Sequence, residues 1–107
     1  GVSFQISDIA VMAEAARTLV YKAAWLKEQQ HAGKRSVAEV KQAAAIAKLY
    51  ATETLWKCLD DMVQVHGGYG YMLEYPIAQL YTDSRVNRIY GGTSEVMKMI
   101  IAKDMGL

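Results

Sequence analysis

Two glycine-rich stretches hold the residues of this sequence that are best suited to meet a ligand. In the later one, RIYGGTSEVMKMII, Gly91 and Gly92 stand directly before a Thr-Ser pair and Glu95; residues 88–95 form the second glycine turn. Glycine leaves room for close approach to the main chain, and hydroxyl and acidic residues are typical of a helix N-terminus. The free N–H groups there can donate to an anion or an oxygen-rich ring edge. A plain loop between two helices is the alternative interpretation.

The earlier stretch, QVHGGYGYMLEYP, is the first glycine turn (residues 64–76). Glycines beyond a helix C-terminus are ordinary caps, but three of them among three tyrosines are more than a cap requires. The stretch is therefore a second candidate ligand site. Its glycines and tyrosines are Gly67, Gly68, Gly70, Tyr69, Tyr71 and Tyr75.

Several other chemistries are excluded by the residues. His31 and His66 have no Cys, His or carboxylate at metal-ligand spacing, so no metal site is predicted. No nucleophile elbow, P-loop or GxGxxG after a strand is present, which closes the usual Rossmann route to a dinucleotide. A net charge of +1 without charged blocks argues against nucleic acid and anionic membranes. The lone Cys58, with no signal peptide or long apolar span, predicts a soluble intracellular protein.

Two long helices must position these turns. Residues 2 to about 30 contain no Gly or Pro, and their apolar residues recur at steps of three and four, which predicts a helix with a buried seam. A second row, which includes Arg17 as a structural residue, is expected to widen the buried face to that of a multi-helix bundle. The seam consists of Ile9, Met12, Ala16, Leu19, Ala23 and Leu26, and the second row of Ile6, Ala10, Ala13, Val20 and Ala24.

A second helix of similar length is predicted to begin after Ser36, which has Glu39 at capping-box spacing, and to end at the first glycine turn. Gly33 lies in the connection before it, so the two helices are expected to form an antiparallel hairpin. The seam of this second helix is expected to contain Val40, Ala44, Ala47, Ala51, Leu55, Cys58, Met62 and Val65.

Two shorter helices complete the chain. Pro76 fits the first turn of a third helix that continues through Val86, with Leu80, Tyr81 and Val86 directed inward. A fourth helix is predicted from Thr93 to about Asp104, with an apolar face of Val96, Met97, Ile100 and Ile101. The spacing therefore predicts an all-α, antiparallel up-and-down helical bundle that forms a single domain over residues 1–107.

Taken together, the two glycine turns resemble a known family. The segment QVHGGYGYMLEYPIAQLYTDSRVNRIYGGTSEVMKMIIA is similar, nearly residue for residue, to the C-terminal signature of the acyl-CoA dehydrogenases. FQISDIAVMAEAARTLVYKAAW resembles the first full helix of their C-terminal α-domain, so the resemblance covers essentially the whole chain. It implies a C-terminal domain fragment of a larger flavoenzyme, whose first helix, N-terminal helical domain and middle β-domain would precede Gly1.

The resemblance implies FAD-dependent oxidation of an acyl-CoA thioester to the trans-2-enoyl-CoA. In this reaction a carboxylate removes the α-proton while hydride passes from the β-carbon to flavin N5. The matching residues fall into three groups by role. By motif, the FAD of a neighbouring subunit would be met by Gln64, His66, Gly67 and Gly68, the FAD of the same subunit by Thr93 and Glu95, and the acyl chain and thioester by Tyr90, Gly91 and Gly92.

The sequence departs from the family pattern at the catalytic position. Gly91 stands where many members carry the catalytic glutamate, and glycine cannot accept a proton. A subset that resembles the long-chain and isovaleryl enzymes has a small residue there and supplies the base from an earlier helix. No catalytic residue is therefore expected within this chain. Thr82 and Ser84 replace an arginine and an alanine that are common in the helix before the turn.

The resemblance further implies acyl-CoA as substrate, electron-transfer flavoprotein as electron acceptor and a homo-oligomer, usually a tetramer in the family. It implies the bacterial cytoplasm or the mitochondrial matrix as the location. The isolated chain is expected to be inactive. Two alternatives remain open: a relative of the acyl-CoA oxidases or nitroalkane oxidases, in which oxygen reaches the reduced flavin, and a helical interaction domain that has kept the scaffold without the chemistry.

Overall fold

The computed structural model describes all residues, 1–107, and contains helices and turns but no β-strand. Short 3-10 helices occupy Gly67–Tyr71 and Arg85–Arg88. The predictions of an all-α fold and of four α-helices are confirmed. The four helices are α1 (Val2–His31), α2 (Val37–His66), α3 (Pro76–Ser84) and α4 (Ser94–Asp104).

Local signals set up the hairpin of α1 and α2. Gly33 has a positive φ of 76°, which a residue with a side chain rarely adopts. The Ser36 hydroxyl accepts a hydrogen bond from the Glu39 N–H at 3.2 Å, so the predicted cap is confirmed. Each helix is 30 residues long, and the two give the molecule its 52 Å long axis.

α2 is the central helix, because α1, α3 and α4 all pack against it. Small side chains permit this close packing: Ala45 and Ala47 are only 3% and 5% exposed. The predicted seam of α1 is confirmed, since all six of its residues are buried or half-buried, with Leu26 the most buried. The core is therefore a narrow layer on either side of α2.

The second apolar row of α1 is exposed, contrary to the prediction that it widens the buried face. α1 packs along α2, whereas α3 and α4 pack on α2 rather than on α1, so only one stripe of α1 is covered. Arg17 is exposed as well. Two residues of the predicted α2 seam are also exposed, because no element covers their side of the helix. The exposed residues are Ile6, Ala10, Ala13, Val20 and Ala24 on α1, and Ala44 and Leu55 on α2.

α3 is shorter than predicted and faces inward through different residues. Val86 lies in the following 3-10 helix, whose tighter winding moves it off the α-helical face. Ile77 and Ala78 are buried, whereas Leu80 and Val86 are exposed, so two of the three predicted inward residues are wrong. Tyr81 is half-buried, in agreement with the prediction.

α4 begins where the sequence predicts. The Thr93 hydroxyl accepts a hydrogen bond from the Val96 N–H at 3.2 Å and caps the helix. Met97 is buried, and Ile100 and Ile101 are half-buried, but Val96 is exposed. One residue step turns an α-helix by about 100°, which carries Val96 to the side of Met97 that faces away from α2.

Candidate functional site

The centre of the second glycine turn is held by a lysine from α2. The Lys48 ammonium donates to the carbonyl oxygen of Tyr90 at 3.1 Å and to that of Gly92. These carbonyls belong to the peptide group before Gly91 and the peptide group after Gly92, so a single side chain fixes the backbone on both sides of the glycine pair. Lys48 is half-buried, and its stem lies along the packed surface of α2.

Glu53, five positions further along α2, binds both flanks of the same turn. Its Oε1 accepts hydrogen bonds from the Ser94 hydroxyl at 2.5 Å and from Arg88 Nε at 2.9 Å. The Ser94 bond, together with the Arg88 guanidinium, holds the pKa of Glu53 below its ordinary value of 4.5, against the opposing effect of partial burial. Glu53 is therefore ionised at neutral pH and ties the start of α4 to Arg88, the first residue of the turn.

Both glycines of the second turn have left-handed backbones, with φ of 66° at Gly91 and 99° at Gly92. A Cβ at Gly91 would meet no atom within 4 Å, whereas a Cβ at Gly92 would lie 2.5 Å from the Met97 methyl group. Gly91 therefore borders open space, and Gly92 is packed against α4. Tyr90, which precedes them, is exposed.

Thr93 and Glu95 lie at the first turn of α4. The Thr93 hydroxyl is engaged as the helix cap, and the Glu95 side chain is exposed. The N-terminus of α4, which is the positive end of its helix dipole, borders a small polar hollow of about 90 Å³. The hollow is lined by Arg85, Arg88, Ile89, Thr93, Ser94 and Glu95.

The first glycine turn closes the other end of α2. Gly67, with φ of 65°, donates its N–H to the Gln64 carbonyl oxygen and ends the helix. The His66 ring Nδ1 lies 2.7 Å from the Met62 carbonyl oxygen, to which it donates a hydrogen bond. Gln64, His66 and Gly67 are all exposed. The residues predicted here are thus all accessible at the end of α2.

Gly68 and Gly70, which follow Gly67, differ in whether the fold requires a glycine at their position. A Cβ at Gly70 would lie 2.5 Å from the Val63 carbonyl oxygen, so Gly70 is required by its packing on α2. Gly68 has no atom within 4 Å of the Cβ position and no positive φ. The rings of Tyr69 and Tyr75 pack together at 5.2 Å between centroids beside it. Nothing within the chain requires glycine at position 68.

The structure does not bring the two glycine turns together. α2 is continuous from Val37 to His66, and His66 is 13 positions after Glu53. At 1.5 Å per residue, the contact points of the two turns on α2 are about 20 Å apart along its axis. The predicted residues therefore form two groups, Gln64, His66, Gly67 and Gly68 at one turn, and Tyr90, Gly91, Gly92, Thr93 and Glu95 at the other.

Lys48 and Glu53 were missed by the sequence reasoning. Their partners lie 35 to 44 positions away, so no local spacing connects them with the second glycine turn. One signal was available, because both place a charge in the part of α2 that is otherwise rich in alanine and apolar residues. Half-buried charges need partners, and the second glycine turn supplies backbone carbonyls to Lys48 and side-chain donors to Glu53.

Known proteins resemble this chain in both sequence and structure. A family profile described as acyl-CoA dehydrogenase, C-terminal domain, matches residues 1–106. The chain belongs to the acyl-CoA dehydrogenase family. The acyl-CoA dehydrogenase of Bacillus subtilis strain 168 is 43% identical over 104 residues, which cover 96% of this chain and 25% of the relative. CarC, a subunit of the caffeyl-CoA reductase-Etf complex of Acetobacterium woodii, is 43% identical over 101 residues, which cover 94% of this chain and 25% of the relative.

A crystal structure of an FAD-dependent dehydrogenase matches the fold with a TM-score of 0.88 at 31% identity, over 99% of this chain and 27% of that one. The predicted acyl-CoA dehydrogenase resemblance is thus confirmed. The chain spans about a quarter of the length of these relatives.

No three His, Cys, Asp or Glu side chains are grouped so that they could hold a metal ion. None of the helices combines the length and apolar character needed to cross a membrane.

Proposed function

We propose that this chain is the C-terminal α-domain of an FAD-dependent acyl-CoA dehydrogenase, which oxidises an acyl-CoA thioester to the trans-2-enoyl-CoA. The observation that carries the proposal is the family match over residues 1–106, which includes both glycine turns. Because the chain spans about a quarter of its relatives, the activity belongs to the full-length protein. The chain contributes flavin-binding and oligomer contacts and is inactive alone.

The first glycine turn suits contact with the FAD of a neighbouring subunit. Gln64, His66 and Gly67 are exposed, and the space in front of Gly68 is free. A ring system or a phosphate can approach such a backbone without meeting a side chain. Glycine at position 68, which the fold itself does not require, is explained by this approach.

The start of α4 suits contact with the FAD of the same subunit. Thr93 and Glu95 border a polar hollow to which Arg85 and Arg88 contribute, and the helix dipole favours anionic groups at this end. The separation of about 20 Å between the turns supports contacts with two different FAD molecules. Each flavin would then be completed by two subunits.

Bound FAD would supply the acceptor for the hydride that leaves the substrate β-carbon. The part of this chain is to present Tyr90, Gly91 and Gly92 to the acyl chain and thioester. Gly91 leaves the space beside its backbone free, and Lys48 and Glu53 hold the turn in place. Since no carboxylate stands at Gly91, the base that removes the α-proton belongs to an earlier helix outside these residues.

The location of the base can be tested in the full-length enzyme. The proposed base is an acidic residue in the helix that precedes residue 1 in the full-length enzyme. We expect that replacing it by Gln abolishes reduction of the flavin by acyl-CoA while FAD stays bound. General-base catalysis contributes roughly a factor of a hundred to ten thousand. Adding Gly91→Glu to that variant should restore part of the rate, because a carboxylate then occupies the free space. Wild-type rates in the Gln variant would exclude the long-chain-like subset.

Electron-transfer flavoprotein is the proposed electron acceptor, and the relative CarC, which is a subunit of a complex with Etf, supports this choice. A homo-oligomer follows from the sharing of FAD between subunits, and the tetramer usual in the family is the proposed state. The proposed location is the bacterial cytoplasm, in keeping with the bacterial relatives named above.

The proposed activity is tested by adding a series of acyl-CoA thioesters to the full-length protein without oxygen. The oxidised flavin absorbance should disappear, and a trans-2-enoyl-CoA should form in equal amount. Admission of oxygen then separates the classes, since a dehydrogenase reoxidises slowly and an oxidase fast. Absence of flavin reduction by every thioester, in a protein that contains FAD, would refute the proposal.

A non-catalytic interaction domain is the second candidate. The observation that favours it is Gly91, which leaves the turn without an acid. A full-length protein without bound FAD and without an acidic residue in the preceding helix would establish this reading instead.

A further inference from the structure

We infer that Lys48 is a positioning residue that sets the orientation of the second glycine turn toward its ligand. The inference rests on the proposed function, because that function places the acyl thioester at Tyr90, Gly91 and Gly92. Lys48 itself touches neither substrate nor FAD in this account. It acts through the backbone of the turn.

Lys48 is the sole protein donor to the two carbonyls on either side of the glycine pair. Its ammonium binds the oxygens of Tyr90 and Gly92, and no backbone N–H or other side chain donates to either of them. Lys48 thus replaces the regular hydrogen bonds that a helix or strand would have supplied. The conformation of the turn at its centre depends on this one side chain.

The contact with Lys48 also fixes the direction of two backbone N–H groups, because each peptide group is planar. In a planar trans peptide the C=O and the N–H point in opposite directions, so the N–H of Gly91 points away from Lys48 when the Tyr90 carbonyl points toward it. The same holds for the Thr93 N–H, which shares its peptide with the Gly92 carbonyl. Neither N–H has an acceptor within the chain. Two free donors are therefore directed away from the Lys48 ammonium, and the donor of Gly91 lies at a residue that borders open space.

The flanks of the turn are fixed separately. Glu53 binds Arg88 at the first residue of the turn and Ser94 near its end, both through Oε1. With the two ends pinned by Glu53, the remaining freedom is rotation of the peptides between them, and this is the freedom that Lys48 removes. Loss of Lys48 should therefore disturb the direction of the donors more than the fold.

The test uses the full-length flavoprotein and three variants. Lys48→Met keeps the apolar stem and removes the ammonium. Lys57→Met is the matched control, since Lys57 is an exposed lysine of the same helix that makes no hydrogen bond. Lys48→Arg returns several N–H donors at the same position. Each protein is assayed for FAD content, thermal midpoint and the rate of flavin reduction by acyl-CoA without oxygen.

Lys48→Met is expected to retain FAD and to melt close to the Lys57→Met control. Its flavin-reduction rate should be about 10- to 100-fold lower, because small misplacements of a reacting group cost this much. Lys48→Arg should recover part of the rate. A role limited to stability would not produce a slow enzyme that is fully loaded with FAD.

The outcomes separate this inference from the proposed function. If the wild-type protein binds FAD but no acyl-CoA reduces it, the proposed function fails, and this inference fails with it. If the wild type is reduced and Lys48→Met is reduced at the same rate, the proposed function stands and the positioning role of Lys48 is wrong. Lys48→Met could also lose FAD or fail to fold. In that case the role is also wrong if Lys48→Arg folds but shows none of the wild-type rate of flavin reduction.

Discussion

Arg88 is held at the second glycine turn by both an anion and an aromatic ring. Its Nε donates to Glu53 at 2.9 Å, and its guanidinium lies 6.0 Å from the centroid of the Trp56 ring. The guanidinium of Arg85 lies over the same ring at 5.6 Å. Cation–π contacts at accessible positions contribute about 0.5–1 kcal/mol each. Glu53 and Trp56 of α2 thus determine how Arg85 and the first residue of the turn are placed.

Glu53→Gln should make the stability of the protein less dependent on pH. The pKa of Glu53 is lowered in the folded state, so its stabilising effect is complete above the ordinary value of 4.5 and is lost as pH falls through the lower folded value. We expect Glu53→Gln to cost about 1 kcal/mol at neutral pH, since the carboxylate is partly exposed. The difference from wild type should disappear in acid.

Unfolding midpoints measured from about pH 7 to pH 3 test this expectation. Glu28→Gln is the control, because Glu28 is exposed and its side chain makes no hydrogen bond. That variant should follow the wild-type profile. A constant difference between Glu53→Gln and wild type at every pH would contradict the account.

The predictions that succeed at the residue scale are those that depend on neighbours in sequence. The caps at Ser36 and Thr93 and the helix end at Gly67 follow from residue types within three or four positions, and the structure has all three. Lys48 and Glu53 depend on contacts between α2 and a turn some forty positions later. No periodicity reports such a contact, so these residues could not be found.

At the scale of elements, the first glycine turn contains one glycine that the fold requires and one that it does not. We expect Gly70→Ala to lower the free energy of unfolding by about 1–3 kcal/mol, because the new Cβ overlaps the Val63 carbonyl oxygen on α2. Gly68→Ala should change it by less than about 0.5 kcal/mol, since its Cβ meets open space. Denaturant unfolding of the two variants makes the comparison. Equal losses of unfolding free energy in the two variants would show that the packing of this turn on α2 is not as described.

The helices were predictable as elements, but the faces that they bury were only partly so. Seam spacing located α1 and α2 and all six half-buried or buried seam residues of α1. Which further rows are covered depends on where α3 and α4 lie, and both pack on α2. For that reason the second row of α1, with Ile6 and Val20, was assigned to the core and is exposed.

At the scale of the whole molecule, the chain has little core of its own. Only 9 of its 107 residues are buried, and large apolar side chains such as Phe4, Val11 and Trp25 are at least half exposed along α1. Apolar surface of this extent favours association. We therefore expect the isolated chain to be helical, to self-associate and to bind FAD poorly.

Circular dichroism, light scattering and a flavin titration test this expectation on the 107-residue chain. The helical signal should be strong, the scattering should show species larger than a monomer, and FAD should not saturate the chain at micromolar concentration. A monodisperse monomer that binds FAD with sub-micromolar affinity would contradict the view that this domain needs the rest of the protein.

In the proposed function this domain forms part of the flavin site. The FAD content of Gly68→Val in the full-length protein tests that role most directly. The position has free space and no positive φ, so valine should leave helicity and assembly unchanged. Ala32→Val adds bulk at the exposed C-cap of α1, which lies at the other end of the α1–α2 hairpin from Gly68, and serves as the control. We predict FAD content well below one per subunit in Gly68→Val, an intermediate value in Gly68→Ala and full content in Ala32→Val. Full FAD content in all three variants would contradict the account.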